Sequence, residues 1–198
     1  MGEKISFIAE ARKEQIIKAT IDVLDEIGYV NVSLAKIAKK AKVSTGLVSY
    51  HFEHKEDVLN QTLLYLIEKQ FEYIKERAEK KESAYDQLIS FIDASLAYQG
   101  THSVNNIALI EIVFNARTPE NVPYYKVSND DEDPLYTQLE EILSYGQKTK
   151  EFSDTFDPRF VSIMIQGAIA ESILMNGEEF DLEGYKNELI NTVTKMVK

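Results

Sequence analysis

Ile16, Ile17, Val23, Leu24 and Ile27, with Thr20 on the same line, recur at steps that place them on one face of a helix, and Gly28 ends the run. After a short gap Ser33 is placed to cap a helix reaching about Lys40. Ser44 is placed to cap another reaching about His51, after a turn of only three or four residues. From Glu56, the positions Val58, Leu59, Leu63, Leu66, Ile67, Phe71 and Ile74 keep helical spacing as far as the charged cluster KERAEKKES. YDQLISFIDASLAYQ and VNNIALIEIVFNAR predict two more helices joined by a turn at Gly100. TPENVPYYKVSNDDEDP is a Pro, Asn and Asp-rich loop. Helices resume at LYTQLEEILSYGQKT, at PRFVSIMIQGAIAESILM with Pro158 in the first helical position, and at LEGYKNELINTVTKMV. No alternating strand pattern and no internal repeat interrupts this series, so the expected fold class is all-α.

The 198 residues are 44% hydrophobic, enough for a real core, in short periodic pieces. No run approaches the roughly 18 apolar residues of a membrane span, and the N-terminus lacks the apolar region of a signal peptide. A cytoplasmic protein without a membrane partner is expected. The absence of Cys removes thiolate catalysis, disulfides and cysteine-based metal sites.

Net charge changes the picture more. The total is -11, yet residues 1–60 carry nine cations and nine acids, and the imbalance lies wholly in residues 61–198. Between Glu26 and Glu53 there is no acid, only Lys36, Lys39, Lys40 and Lys42. A charged ligand responds to the patch within a Debye length of roughly 8–10 Å, so the acidic total does not exclude nucleic acid.

The segment Leu34–Tyr50 has the chemistry of a helix-turn-helix. Leu34, Ile37, Ala38, Val43 and Val48 can pack its two helices together, which frees the second helix to face outward. Thr45, Gly46, Ser49, Tyr50 and His51 then suit a major groove, because short side chains permit close approach and hydroxyls bond bases or phosphates.

QIIKATIDVLDEIGYVNVSLAKIAKKAKVSTGLVSYHFEHKEDVL resembles the N-terminal domain of the TetR family of bacterial transcriptional regulators. Gly28-Tyr29, Ser33, Ile37-Ala38, Ala41, Val43-Ser44, His51-Phe52 and Lys55 fall where that pattern places such residues. Lys42 stands where the family usually has Gly, and Ser49 where it often has Tyr.

The resemblance implies a helix-turn-helix DNA-binding domain over residues 1–54 and an all-helical effector-binding and dimerisation domain over 55–198. It implies a homodimer on a palindromic double-stranded DNA operator, acting as a repressor that a small-molecule effector releases. Tyr50, His51 and Lys55 are assigned to phosphate, and Thr45, Gly46, Leu47 and Ser49 to base edges. Ser33, Ser44 and Lys36 are further backbone contacts.

The remaining chemistry is sparser. His51 and His54 lack a third ligand and His102 is isolated, so no metal and no cofactor is expected. The acidic run in Asn129–Pro134 lacks the spacing of a calcium loop. The adjacent pairs Glu140-Glu141 and Glu178-Glu179 point apart on a helix. Among many aromatics, Phe91, Tyr98, Phe114, Tyr136 and Met164 are the candidates for lining a pocket for an aromatic or lipophilic effector. Ile163, Ile165, Gly167, Ala168, Ile169, Ala170, Ile173 and Leu174 make one helix apolar on more than one face, which suits a dimer contact or, alternatively, a helix buried wholly within its own subunit. The competing class, an all-α enzyme or a lipid or small-molecule carrier, has no nucleophile, phosphate-loop or metal motif behind it.

Overall fold

A computed structural model of the chain describes residues 2–118, 120–126, 133–175 and 180–198. Positions 129–132 of the acid-rich run, and the pair Glu178-Glu179, lie outside the described residues. Among the described residues the elements are helices: α1 (Gly2–Asn31), α2 (Leu34–Ala41), α3 (Thr45–His51), α4 (Lys55–Ala78), α5 (Ala84–Thr101), α6 (Ser103–Asn115), α7 (Pro134–Lys148), α8 (Pro158–Leu174) and α9 (Leu182–Val197). A 3-10 turn at Tyr124–Lys126 and an isolated bridge between Arg117 and Pro123 complete them. The fold is all-α, with a helix-turn-helix near the N-terminus.

The helices form two compact units, Met1–Glu68 with Ser103–Ser128, and Lys69–His102 with Asn129–Lys198. In the first, Ile16, Val23 and Leu24 of α1 meet Ile37, Ala38 and Val48 of the helix-turn-helix, with Phe52, Val58 and Leu59 following. These side chains are at most 4% exposed, and burying each large one stabilises the fold by roughly 1.5–3 kcal/mol. The buried Thr20 and Thr62 bond back to the carbonyls of Ile16 and Val58, so neither hydroxyl goes unpaired. α6 packs on α1 in the same unit.

α1 starts well before the Ile16 stripe, because the preceding residues include good helix formers such as Ala, Glu, Lys and Arg. Gly28 interrupts it as expected. At φ 69°, ψ 163° it lies where side-chain-bearing residues are strained, and a short helical piece follows to Asn31.

The second unit has its own core around Ile74, Leu88, Phe91, Ile92, Leu139, Leu143, Ile165 and Ile169. Here the turn expected at Gly100 is displaced. Gly100 lies inside α5, and the helix ends at His102, whose N–H bonds to the Tyr98 carbonyl and whose ring stacks on Tyr98 at 4.1 Å. Gly100 serves packing instead, since a Cβ there would sit 3.2 Å from Leu182 at the start of α9.

Candidate nucleic-acid interface

α2 and α3 are positioned by their caps. Ser33 Oγ accepts the Lys36 N–H at 3.4 Å and Ser44 Oγ accepts the Leu47 N–H at 3.1 Å, each taking an otherwise unpaired donor of a first turn. Between them Lys42 adopts the left-handed conformation, φ 56°, ψ 42°. The Val43 N–H then reaches back to the Ala38 carbonyl, which closes the turn tightly enough to set α3 across α2. Gln15 on α1 secures the same end by donating to the Ala41 carbonyl at 2.8 Å.

α3 buries Val48 and presents Thr45, Gly46, Ser49 and Tyr50 to solvent, with Tyr50 79% exposed. Leu47 and His51 are half-buried at its edges, and the His51 ring sits edge-on to Tyr50 at 5.1 Å. One outward face of a short helix thus gathers the residues assigned to base edges.

The acid-free stretch is not acid-free in space. Lys40 reaches Glu26 at 2.5 Å and Asp22 at 3.6 Å, both on α1, and the hydrogen bond to Glu26 raises its pKa. Lys36 turns its ammonium to the Asn31 carbonyl at 2.8 Å. Lys36, Lys39, Lys40 and Lys42 line a groove of about 410 Å³ floored by Val23 and Ile27. Lys36, Lys39 and Lys42 are exposed around it, and of these only Lys36 is among the residues assigned to DNA above.

Lys55 is likewise engaged. Its ammonium donates to the Tyr29 carbonyl at 3.0 Å and lies 4.6 Å from the Tyr29 ring centroid. Burial lowers its pKa, with Glu56 opposing, and burial raises that of Tyr29. Beside it a cleft of about 870 Å³ runs along the α3–α4 junction, lined in part by Tyr50, His51, His54, Arg117 and Tyr124. No local signal in the sequence brings Arg117 or Tyr124 to this place.

The effector candidates do not share one environment. Phe91 and Tyr98 are core residues of the second unit, 0% and 2% exposed, while Tyr136 and Met164 lie on its surface. Phe114 belongs to the first unit, where it is exposed and stacks on Tyr125 at 5.8 Å. Among the described residues no group of three His, Cys, Asp or Glu is placed to hold a metal ion, and no helix is long and apolar enough to cross a membrane.

The profile of the bacterial regulatory proteins, tetR family, matches residues 16–62, which take in the capped helix-turn-helix with the second half of α1 and the start of α4. The fatty acid metabolism regulator protein of Bacillus subtilis is 30% identical over 183 residues, which cover 89% of this chain and 90% of the relative. The chain belongs to the TetR family. It is a DNA-binding transcriptional regulator and not an enzyme. The family's regulator BetI from Stenotrophomonas maltophilia is 34% identical over 89 residues, 44% of this chain and 45% of BetI. Among solved structures, FadR of Bacillus halodurans shares the fold with a TM-score of 0.79 at 22% identity, covering 92% of this chain and 94% of its own. FadR of Bacillus subtilis, solved in complex with stearoyl-CoA, has a TM-score of 0.75 at 25% identity, covering 93% and 99%.

Proposed function

We propose that the protein is a repressor that binds a palindromic operator as a homodimer and leaves it when a lipophilic effector, a long-chain acyl thioester, occupies the second domain. The observation that carries the DNA half is the α3 face. Thr45, Gly46, Leu47 and Ser49 enter the major groove, with Gly46 and the short hydroxyls permitting close approach. Tyr50 and His51 bond phosphate, joined by Lys55, whose ammonium has protons to spare beyond the one given to Tyr29. Ser33, Ser44 and Lys36 border the same surface, and Lys39 and Lys42 extend its cationic side.

The functional division follows: residues 1–54 bind DNA, and 55–198 bind effector and partner. α8 supports the dimer, because Ile165 and Ile169 turn inward while Phe160, Ile163, Met164 and Leu174 are 54–70% exposed. At Gly167 nothing lies within 4 Å of a Cβ, so another helix can approach that face closely. The effector class is supported by the stearoyl-CoA complex of the Bacillus subtilis FadR and by the apolar interior around Phe91.

Anisotropy titration on DNA from the protein's own promoter region, at two salt concentrations with and without stearoyl-CoA, tests the reading. Sequence-selective binding that weakens with salt and is released by stearoyl-CoA is expected. Binding indifferent to sequence would remove the operator, and a complex insensitive to the acyl thioester would remove the effector class.

A further inference from the structure

Among the described residues, two buried side-chain atoms have no hydrogen-bond partner: Gln138 Oε1 on α7 and Gln166 Nε2 on α8. The other buried polar side chains of the second unit are satisfied. Ser95 donates to the Phe91 carbonyl at 2.7 Å, Gln99 to that of Ile169 at 2.8 Å, and Ser172 to both Gln99 and the Ile169 carbonyl. Ser162 donates to the Arg159 carbonyl at 2.8 Å. Folded proteins rarely leave buried polar atoms unpaired, because each forfeits its bonds to water and gains nothing back.

The two exceptions lie on the inward faces of helices packed against each other, and both residues are more than nine-tenths buried. One lacks a donor and the other lacks an acceptor. Apolar residues flank them: Leu135, Leu139 and Ile142 on α7, Ile165 and Ile169 on α8. Gln138 also lines a groove of about 310 Å³ that opens to the surface, where Ala78, Ile142 and Tyr145 are joined by Glu79, Gln87 and Glu141.

We propose that Gln138 and Gln166 are the polar reading points for the effector, and that they select a ligand carrying a group that both donates and accepts within an otherwise apolar body. A secondary amide or a hydroxyl meets that description. A carboxylate or a thioester carbonyl supplies acceptors only, and leaves Gln138 Oε1 unpaired. The inference rests on the effector reading above and specifies its chemistry.

The test uses the full chain and three probes: stearoyl-CoA, whose pantetheine arm carries amides, a hydroxystearate, and stearate, which has neither group. Gln138→Met and Gln166→Met keep side-chain length and shape while deleting the amide. Each variant is expected to melt a few degrees higher than the wild type, since an unpaired polar group is gone. Each is expected to bind stearoyl-CoA or the hydroxystearate at least about tenfold more weakly. Whichever of these two probes loses affinity identifies the group that is read, and stearate binding stays unchanged. Variants that melt lower and bind all probes as before would assign the amides to the scaffold and overturn the proposal. Gln→Leu substitutions repeat the comparison if a Met variant fails to fold. Wild-type protein that binds none of the probes would instead refute the effector reading itself.

Discussion

The backbone N–H of Tyr29 donates to the Glu111 carboxylate at 2.8 Å across 82 residues of sequence. Gly28 makes this possible, because its positive φ breaks α1 and turns the next amide out of the helical ladder toward α6. The Tyr29 carbonyl accepts from the Lys55 ammonium, so α6 and the start of α4 both hold the end of α1. Glu111→Ala leaves a partly buried amide without an acceptor, and a loss of about 1–3 kcal/mol is expected in urea unfolding. Glu111→Gln keeps one acceptor oxygen and should lose less. If the two variants unfold alike, charge rather than the hydrogen bond joins α6 to α1.

Lys42 combines a conformational cost with an electrostatic use. In the left-handed conformation a non-Gly residue pays about 1–2 kcal/mol, offset in part by the greater chain entropy that Gly loses on folding. Lys42→Gly is therefore expected to raise stability by about 0.5–1 kcal/mol and to lower operator affinity. The slope of log affinity against log salt should fall by about 1 if Lys42 neutralises one phosphate. An unchanged slope takes Lys42 out of the DNA contact.

The elements legible in the sequence are those whose signals are local. Ser33 and Ser44 cap the helices expected of them, Pro158 opens α8, and Lys42 closes the turn where Gly is usual. Contacts that depend on how helices cross were not legible. Lys40 sits in an acid-free stretch, yet the α1–α2 packing brings Asp22 and Glu26 to it. Lys55 meets Tyr29 only because α1 breaks at Gly28. Gly100 looks like a turn residue by composition, but its missing Cβ makes room for Leu182. Phe91 and Tyr98 illustrate why a pocket is harder to read than a motif: aromatics at helical spacing look the same whether they line a ligand or fill a core.

Glu151 gives the second unit an acid-sensitive link. Its two carboxylate oxygens accept the N–H groups of Ala84 and Tyr85, each at 3.1 Å, at the start of α5. These backbone bonds, that from Tyr85 first, hold its pKa below the ordinary 4.5. A carboxylate depressed in the folded state contributes stability that is present above the unfolded value and is lost as pH falls through the folded one. The urea midpoints of wild type and Glu151→Gln should therefore differ most near neutrality and converge as pH drops below 4.5. A gap that persists unchanged into acid would mean that the charged form is not what α5 binds.

Ile163 offers the sharpest test of the dimer. It is 54% exposed on α8, beside Phe160, Met164 and the open position at Gly167, so a charge there costs the isolated subunit little. Across a two-fold interface the same substitution is repeated by the partner and buries two like charges in an apolar contact. Ile163→Glu is expected to sediment as a monomer at concentrations where the wild type is dimeric, with a circular dichroism spectrum that remains helical. Because a dimer binds both half-sites and a monomer only one, its operator affinity should fall by at least about a hundredfold. A variant that stays dimeric and keeps its operator affinity would move the interface away from this face of α8.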